Sequence, residues 1–403
     1  MSEQLFDPEV VQCPYPKYRE LQESCPVYKV PDDALYLVTR YDDCVDVLSD
    51  PDTFSSKAGP GLRQKPAPAA KAVLAQGHRL VRTLLTNDPP SHTYYRRIVS
   101  KAFTARRVAA LEPGVARVID GLIDGLEAAG HADFVSAFAQ PLPLIVISQF
   151  LGVASEDLQR FRRWSDDAAE VLAGTLSEQR QVEVTTSLVE LLQYFADQTQ
   201  VRRGSPGSDF LSSLVSAEGG RLTTEEIIAI AYVVLVAGNE TTVNLLSSVT
   251  LLLLQDPALM SRVRADRSLV PTVMEEALRL QAPVQGFPRV AVTDTEIHGV
   301  PVAAGSQVMV MVGAANRDPS YFEDPDAVRL EGGQSRAHLS FGKGIHFCVG
   351  AALSRLEAEI GLNALLDRFA SIELQDPSFE PRYADNAILR SMLELPIVVR
   401  TSA

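Results

Sequence analysis

From Ile227 to Ala237 the chain carries only apolar side chains apart from the Tyr232 hydroxyl. The run follows Thr223-Thr224-Glu225-Glu226, whose spacing is that of a capping box and predicts the start of a long helix. A helix apolar on all sides has to sit in the middle of a large domain, with other elements wrapped around it. The chain has the material for this: 403 residues, 46% of them hydrophobic. By length alone two or three domains are open. Charged residues are 22% and no segment is of low complexity, which argues against disorder. The formal net charge of -14 repels nucleic acid and anionic membrane, so neither is expected as a partner. The apolar run is too short to span a bilayer. The polar, proline-punctuated N-terminus lacks a signal pattern. Cys13, Cys25, Cys44 and Cys348 form neither a disulfide framework nor a CxxC zinc pair. A cytoplasmic monomer without membrane anchor is the expectation.

Helical spacing recurs from Arg106 to Leu126, Leu158 to Gly174, Ala258 to Ala265 and Leu269 to Leu280. Strand signals are short: Leu35 to Thr39, Ile297 to Val302 and Gln307 to Val312 as a hairpin around Ala304-Gly305, and Leu395 to Val399. Gly59 to Gly77 reads as a long loop and Arg202 to Ser208 as a second. No internal repeat or linker divides the chain. The expected fold is mainly α with a small β region, a single domain over residues 1–403.

Phe341-Gly-Lys-Gly-Ile-His-Phe-Cys-Val-Gly350 is a glycine-rich loop that delivers one cysteine to the start of a helix, read as Val349 to Phe369. Free N–H groups and the positive dipole end of a helix stabilise a thiolate, the form that ligates metal. A lone cysteine with this setting is more often an inert buried thiol. The whole pattern, however, resembles the haem-ligand loop of the cytochrome P-450 family, Phe-x-x-Gly-x-[His/Arg]-x-Cys-x-Gly. The resemblance implies a triangular prism with haem b between the central helix and the helix after the cysteine loop. It makes Cys348 the axial ligand of the haem iron, packs Phe341 and Gly342 near the porphyrin, and turns His346 to a haem propionate.

Ala237-Gly-Asn-Glu-Thr-Thr242 breaks the apolar helix with polar residues, which are costly in a core unless partnered or used. Mid-helix threonines can bond the carbonyl four residues earlier. The segment resembles the family's Ala-Gly-x-[Asp/Glu]-Thr-Thr motif. The resemblance implies Thr241 and Glu240 as the acid–alcohol pair that passes protons during oxygen activation. It also places Ala237 and Gly238 against the cofactor, Gly238 leaving room for a small ligand. Glu276-Ala-Leu-Arg279 is similar to the family's Glu-x-x-Arg and has a structural role, with Arg329 or Arg336 expected to complete its ion network. Asp88-x-Pro-x-His92-x-x-x-Arg96 resembles a propionate-binding segment, and Arg289 stands where the family has another propionate partner. The likeness runs from Tyr36–Asp42 through Leu151-Gly-Val153 to the C-terminus. Ser391, where a glycine often follows Arg390, and Tyr94-Tyr95 depart from the pattern at no expected cost to the chemistry.

By resemblance the substrate sits opposite Cys348, against Val233, Val234, Val284, Phe287 and Met392, an apolar lining that suits a hydrophobic small molecule. The loop Gly59–Leu85 and the region Glu178–Val201 are expected to move on binding. The chain has no flavin or iron–sulfur motif, so ferredoxin and ferredoxin reductase are the expected partners, carrying electrons from NAD(P)H. Arg97, Lys101, Lys343 and Arg355 are the expected basic patch. The expected reaction is insertion of one oxygen atom of O2 into a C–H or C=C bond. Other oxidative reactions of the same haem-thiolate fold (coupling, desaturation, dehydration) and a non-enzymatic haem ligand-binding protein remain the alternatives.

Overall fold

The computed structural model describes residues 7–401 except 32, 59–65, 174–175 and 332. Its longer helices are α1 Tyr15–Ser24, α2 Tyr41–Ser49, α3 Ser91–Ser100, α4 Glu112–Ala129, α5 Pro141–Leu151 and α6 Leu158–Ala173. They continue with α7 Glu178–Gly204, α8 Thr224–Gln255, α9 Pro257–Ala265, α10 Val270–Leu280 and α11 Ala351–Arg368. The strands are β1 Val27–Lys29, β2 Leu35–Val38, β3 Phe54–Ser55, β4 His131–Asp133 and β5 Phe287–Ala291, then β6 Thr295–Ile297, β7 Val300–Val302, β8 Gln307–Val310, β9 Phe369–Leu374 and β10 Pro396–Thr401.

Helix α8 starts as its capping box dictates. The Thr223 hydroxyl accepts the Glu226 N–H at 3.2 Å, and the Glu226 carboxylate accepts the Thr223 N–H at 2.8 Å. The helix runs for 32 residues. By length and composition it could cross a membrane, unlike the short run read from the sequence, but most of its apolar stretch is packed inside the protein.

Two hydrophobic clusters divide α8 between them. Ile227, Ile230 and Leu235 pack with Ile147 of α5, Phe161 and Trp164 of α6, and Leu191 and Phe195 of α7. Val243, Leu246 and Val249 pack with Ile119 of α4, Met274 of α10 and Leu362 of α11. The polar turn Ala237–Thr242 falls at the junction, where neither core claims the whole circumference of the helix.

Strands from both ends of the chain form the sheets. The larger sheet has the order β1-β2-β8-β5-β3, with β2 parallel to β8 and Leu35 opposite Gln307. A second sheet has the order β4-β10-β9. The hairpin differs from the sequence reading. β6 pairs with β7 through His298-Gly299, both at positive φ (49° and 77°), as a tight two-residue turn requires. β8 is instead held between β2 and β5, a pairing set by distant partners. The Gly59–Gly77 loop also contains a short helix, Pro68–Leu74, started by its proline; residues 59–65 lie outside the described residues.

Buried ion pairs fix the chain that leads to the cysteine loop. Arg279 forms a two-pronged bond to Glu276, at 2.9 and 2.7 Å, and both side chains are 2% exposed. Its remaining N–H groups donate to the carbonyls of Asn316, Pro325 and Ala327. Glu276 also accepts the backbone N–H of Arg329 at 2.8 Å. The guanidinium of Arg329 turns outward to Glu323 and Asp324, so main chain, not the expected third arginine side chain, completes this network. Removing one partner of a buried pair strands the other charge. Glu276→Leu is therefore expected to lower unfolding stability by about 3–5 kcal/mol, read from urea denaturation. A loss under about 1 kcal/mol, the range of an exposed ion pair, would show that the pair does not hold this region.

Candidate active site

The cysteine loop is folded back on itself. The Cys348 N–H donates to Phe341 O at 2.8 Å, and Gly344, at φ 66°, passes so close to α2 that a Cβ would lie 2.7 Å from Leu48 O. Helix α11 begins at Ala351, two residues later than the sequence suggests. The N–H groups of Gly350 and Ala351 still point at the sulfur. Cys348 is deeply set yet accessible, so its thiol opens on an internal cleft. Burial pushes this thiol up, and the two N–H groups with Arg96 and Arg355 draw it back. Phe341 packs under the Arg355 guanidinium, 4.4 Å from the ring centre. Gly342, at φ 71°, lies against Phe287.

The other wall of the cleft is α8. Val233, Ala237 and Thr241 recur at helical spacing and are accessible, Ala237 the most. The next residue, Thr242, meets Ser354 of α11 at 3.3 Å, which brings the polar turn over the first turns after Cys348. Thr241 and Thr242 donate to the carbonyls of Ala237 and Gly238, at 2.8 and 3.1 Å, the back-bonds expected of mid-helix threonines. Asn239 donates to Ser165 of α6 at 2.8 Å and ties the turn to its neighbour. Glu240 is half-buried, and its carboxylate accepts the Ser391 hydroxyl at 2.6 Å. Burial pushes this acid up, and the Ser391 bond partly offsets it.

Some calls change. A Cβ on Gly238 would meet Ile147 of α5 at 3.3 Å, so this glycine lets α5 approach α8 closely. Val234 is 6% exposed in the core with α5 to α7, leaving Val233 as the cleft residue of the two. Met392 is 4% exposed in the other core cluster, and Tyr383 pairs with it across the C-terminal turn. Val284 pairs with Leu389 beside Tyr18 and Met309. Arg355 is held by Glu275 and is not a free patch residue. Ser391, read as remote from the chemistry, touches Glu240.

A cationic rim surrounds the loop. His92 and Arg96 lie one turn apart on α3, and the His92 and His346 rings are 4.3 Å apart. His346 meets the Ser56 hydroxyl at 2.9 Å. Arg289 on β5 is 7% exposed, and its one hydrogen bond among the described residues goes to Pro288 O. Burial pushes Arg289 down to about 10, and burial with Arg289, His92 and Arg96 nearby pushes His346 down to about 3. Asp88, the acid of this segment, is taken by Ser55, the Ser56 N–H and Lys57. The buried His92 Nδ1 has no partner among the described residues. Two guanidiniums and two imidazoles, Arg289 and His92 buried and Arg96 and His346 half-buried, with one carboxylate among them and an orphaned ring nitrogen, fit a ligand bearing negative charge at this rim. With a single thiol opening on the same cleft, the residues fit a haem whose carboxylates reach His92, Arg96, Arg289 and His346.

Two buried glutamates escaped the sequence reading. Glu275 accepts from Arg355 at 2.6 Å and meets His338 at 3.0 Å; burial raises it, but these partners outweigh that and hold it near 2. Glu357 is buried, and its Oε2 has no partner among the described residues. It lies on the stripe Leu353, Glu357, Gly361, Leu365 of α11, a spacing that marked it as core-facing.

The cytochrome P-450 family model matches residues 132–397. The cytochrome P-450 monooxygenase PikC of Streptomyces venezuelae is 37% identical over 95% of this chain and 90% of its own length. The 6-deoxyerythronolide B hydroxylase of Saccharopolyspora erythraea is 38% identical, covering 95% of each chain. Among solved structures, cytochrome P-450 CREJ in complex with (4-ethylphenyl) dihydrogen phosphate superposes with a TM-score of 0.93 at 31% identity, over 97% of this chain and 98% of that one.

Burial pushes Glu357 up to about 8, so the folded state keeps a proton that the unfolded chain releases near the ordinary value of 4.5. Between these values the native state binds more protons, and stability falls as pH rises. Glu357→Gln is expected to gain stability over wild type at pH 8 relative to pH 5, measured by thermal unfolding at both. An equal difference at the two pH values would show that Glu357 is charged in the fold.

Proposed function

The chain belongs to the cytochrome P-450 family and is a monooxygenase, and on that premise we propose that it hydroxylates or epoxidises a hydrophobic small molecule. The observation that carries this reading is the approach of α8 to the helix that follows the cysteine loop, Thr242 meeting Ser354 at 3.3 Å, with the Cys348 thiol and the strip Val233, Ala237 and Thr241 left accessible. Cys348 would hold haem b by its iron, and His92, Arg96, Arg289 and His346 would bind its propionates. The bound haem supplies the iron at which O2 is activated, and the cysteinate favours O–O cleavage. Thr241 is accessible on that face and carries the one hydroxyl of the strip, so it would hold and pass a proton there. Glu240, one residue earlier and pushed up by burial, resupplies the proton. The apolar lining at Val233 and Ala237 excludes water and receives the substrate. Two relatives bear the names 6-deoxyerythronolide B hydroxylase and mycinamicin IV hydroxylase/epoxidase, so those two compounds lead the screen for a substrate-induced spectral shift.

Electrons come from a ferredoxin and its reductase in this reading. Of the four cationic residues expected in the patch, Arg97 and Lys101 pair with Glu218 and Arg355 with Glu275. Lys343 is exposed, makes no ion pair among the described residues, and lies in the cysteine loop with the exposed Phe347. This apolar and basic spot beside Cys348 suits an acidic electron carrier.

The dithionite-reduced protein is expected to give the long-wavelength Soret band of a thiolate haem under carbon monoxide, and Cys348→Ala to lose it; a histidine-type band in a well-folded sample would remove Cys348 as ligand. Thr241→Ala is expected to keep consuming O2 with the product replaced largely by peroxide. Coupling equal to wild type would take Thr241 out of the mechanism. Lys343→Glu is expected to raise the Michaelis constant for ferredoxin, and an unchanged constant would move the docking face elsewhere.

A further inference from the structure

Ser391 reaches α8 from the far end of the chain. Its hydroxyl donates to Glu240 Oε1 at 2.6 Å and accepts from Asn244 Nδ2 at 3.3 Å. Glu240 and Asn244 are one turn apart on α8, so a single hydroxyl bridges two side chains of the same helix face. The segment that carries it has little freedom. Arg390 donates to Gln281 Oε1 and to the carbonyls of Val11 and Gln12, and stacks 3.6 Å over the Tyr383 ring. The Arg390 N–H donates to Pro283 O, the Ala384 N–H donates to Ser391 O, and Met392 is buried in the core. With both neighbours of Ser391 pinned, the hydroxyl is delivered to Glu240 by backbone that cannot drift.

Glu240 and Thr241 are adjacent, yet each is engaged elsewhere: Thr241 with Ala237 O, Glu240 with Ser391. We propose that Ser391 is a positioning residue for the monooxygenase reaction, holding the Glu240 carboxyl turned away from Thr241 until it passes its proton and stabilising the carboxylate that is left. The role rests on the reading of Glu240 as the proton source. A buried carboxylate without a donor protonates readily, and a hydroxyl donating to it opposes that. When Glu240 takes up a proton the bond can reverse, because Asn244 Oδ1 is buried without a partner and can accept from the serine once the amide turns over. Ser391 therefore connects the two protonation states of Glu240 without breaking contact. The other charge felt between these elements is Asp166 of α6, paired with Arg162 at 4.0 Å; it repels Glu240 and is raised to about 6, chiefly by burial. Arg390 faces Gln281 and not Glu240.

The test is infrared titration of the Glu240 carboxyl in the haem-loaded protein, the band being assigned by its loss in Glu240→Gln. Ser391→Ala is expected to raise the titration midpoint by about one pH unit and to shift the carbonyl band, since one charge-assisted donor is lost. Ser391→Thr, which keeps the hydroxyl, is expected to restore both. An unchanged midpoint in Ser391→Ala overturns the proposal. Equal shifts in the alanine and threonine variants also overturn it, because packing and not the hydroxyl would then be responsible. The measurement needs no turnover, so failure of the monooxygenase reading shows separately, in the carbon monoxide spectrum and the coupling of Thr241→Ala.

Discussion

Adjacent buried glutamates on α10 hold the functional half of the molecule in place. Glu276 binds Arg279, whose other donors clamp three carbonyls of the segment before the cysteine loop. Glu275 binds Arg355 of α11 and His338, ten residues before the cysteine. The loop is thus fixed on its approach and on the helix that follows it. Each of these charges is unaffordable in a core alone and acceptable only because its partner is there. The position of Cys348 is the sum of such local satisfactions, with the Phe341 carbonyl and the close pass of Gly344 over Leu48 closing the turn.

Given that loop, the rim and α8 follow from charge and packing. His92 and Arg96 on α3, Arg289 on β5 and His346 in the loop come from separate elements and are brought together without a matching set of acids. Burial depresses all four, and neighbouring positive charge adds to it at the two histidines, an arrangement that makes sense with an anionic group among them. Across the cleft, α8 passes from one hydrophobic cluster to the other, and the junction leaves the helix turn Ala237–Thr241 open on one side. Oxygen chemistry needs both features: a site dry enough for a reactive intermediate, and one line of hydroxyl and carboxyl groups that admits protons.

The legibility of this site in the sequence depended on distance along the chain. The cysteine loop, the Glu-x-x-Arg pair, the capping box and the back-bonded threonines are local, and their partners lie within a few turns. The misread hairpin shows the contrary case: His298-Gly299 made the tighter turn, but only the pairing of β8 with β2 and β5 removes β8 from the hairpin. The motif at Gly238 says nothing of which neighbour lies against it, and only the packing brings Ile147 of α5 there. Ser391 is 151 residues from Glu240, and no spacing rule reaches that far.

The sequence by itself determined the family, the helical character and the residue types of the chemistry, because periodicity, capping and the thiol loop are properties of contiguous residues. Tertiary structure alone decided which way each side chain faces: Val233 and not Val234 to the cleft, the Arg329 backbone and not its guanidinium to Glu276, Ser391 to Glu240. Facing is settled by which distant element packs on which side, and that is a property of the whole core rather than of any segment.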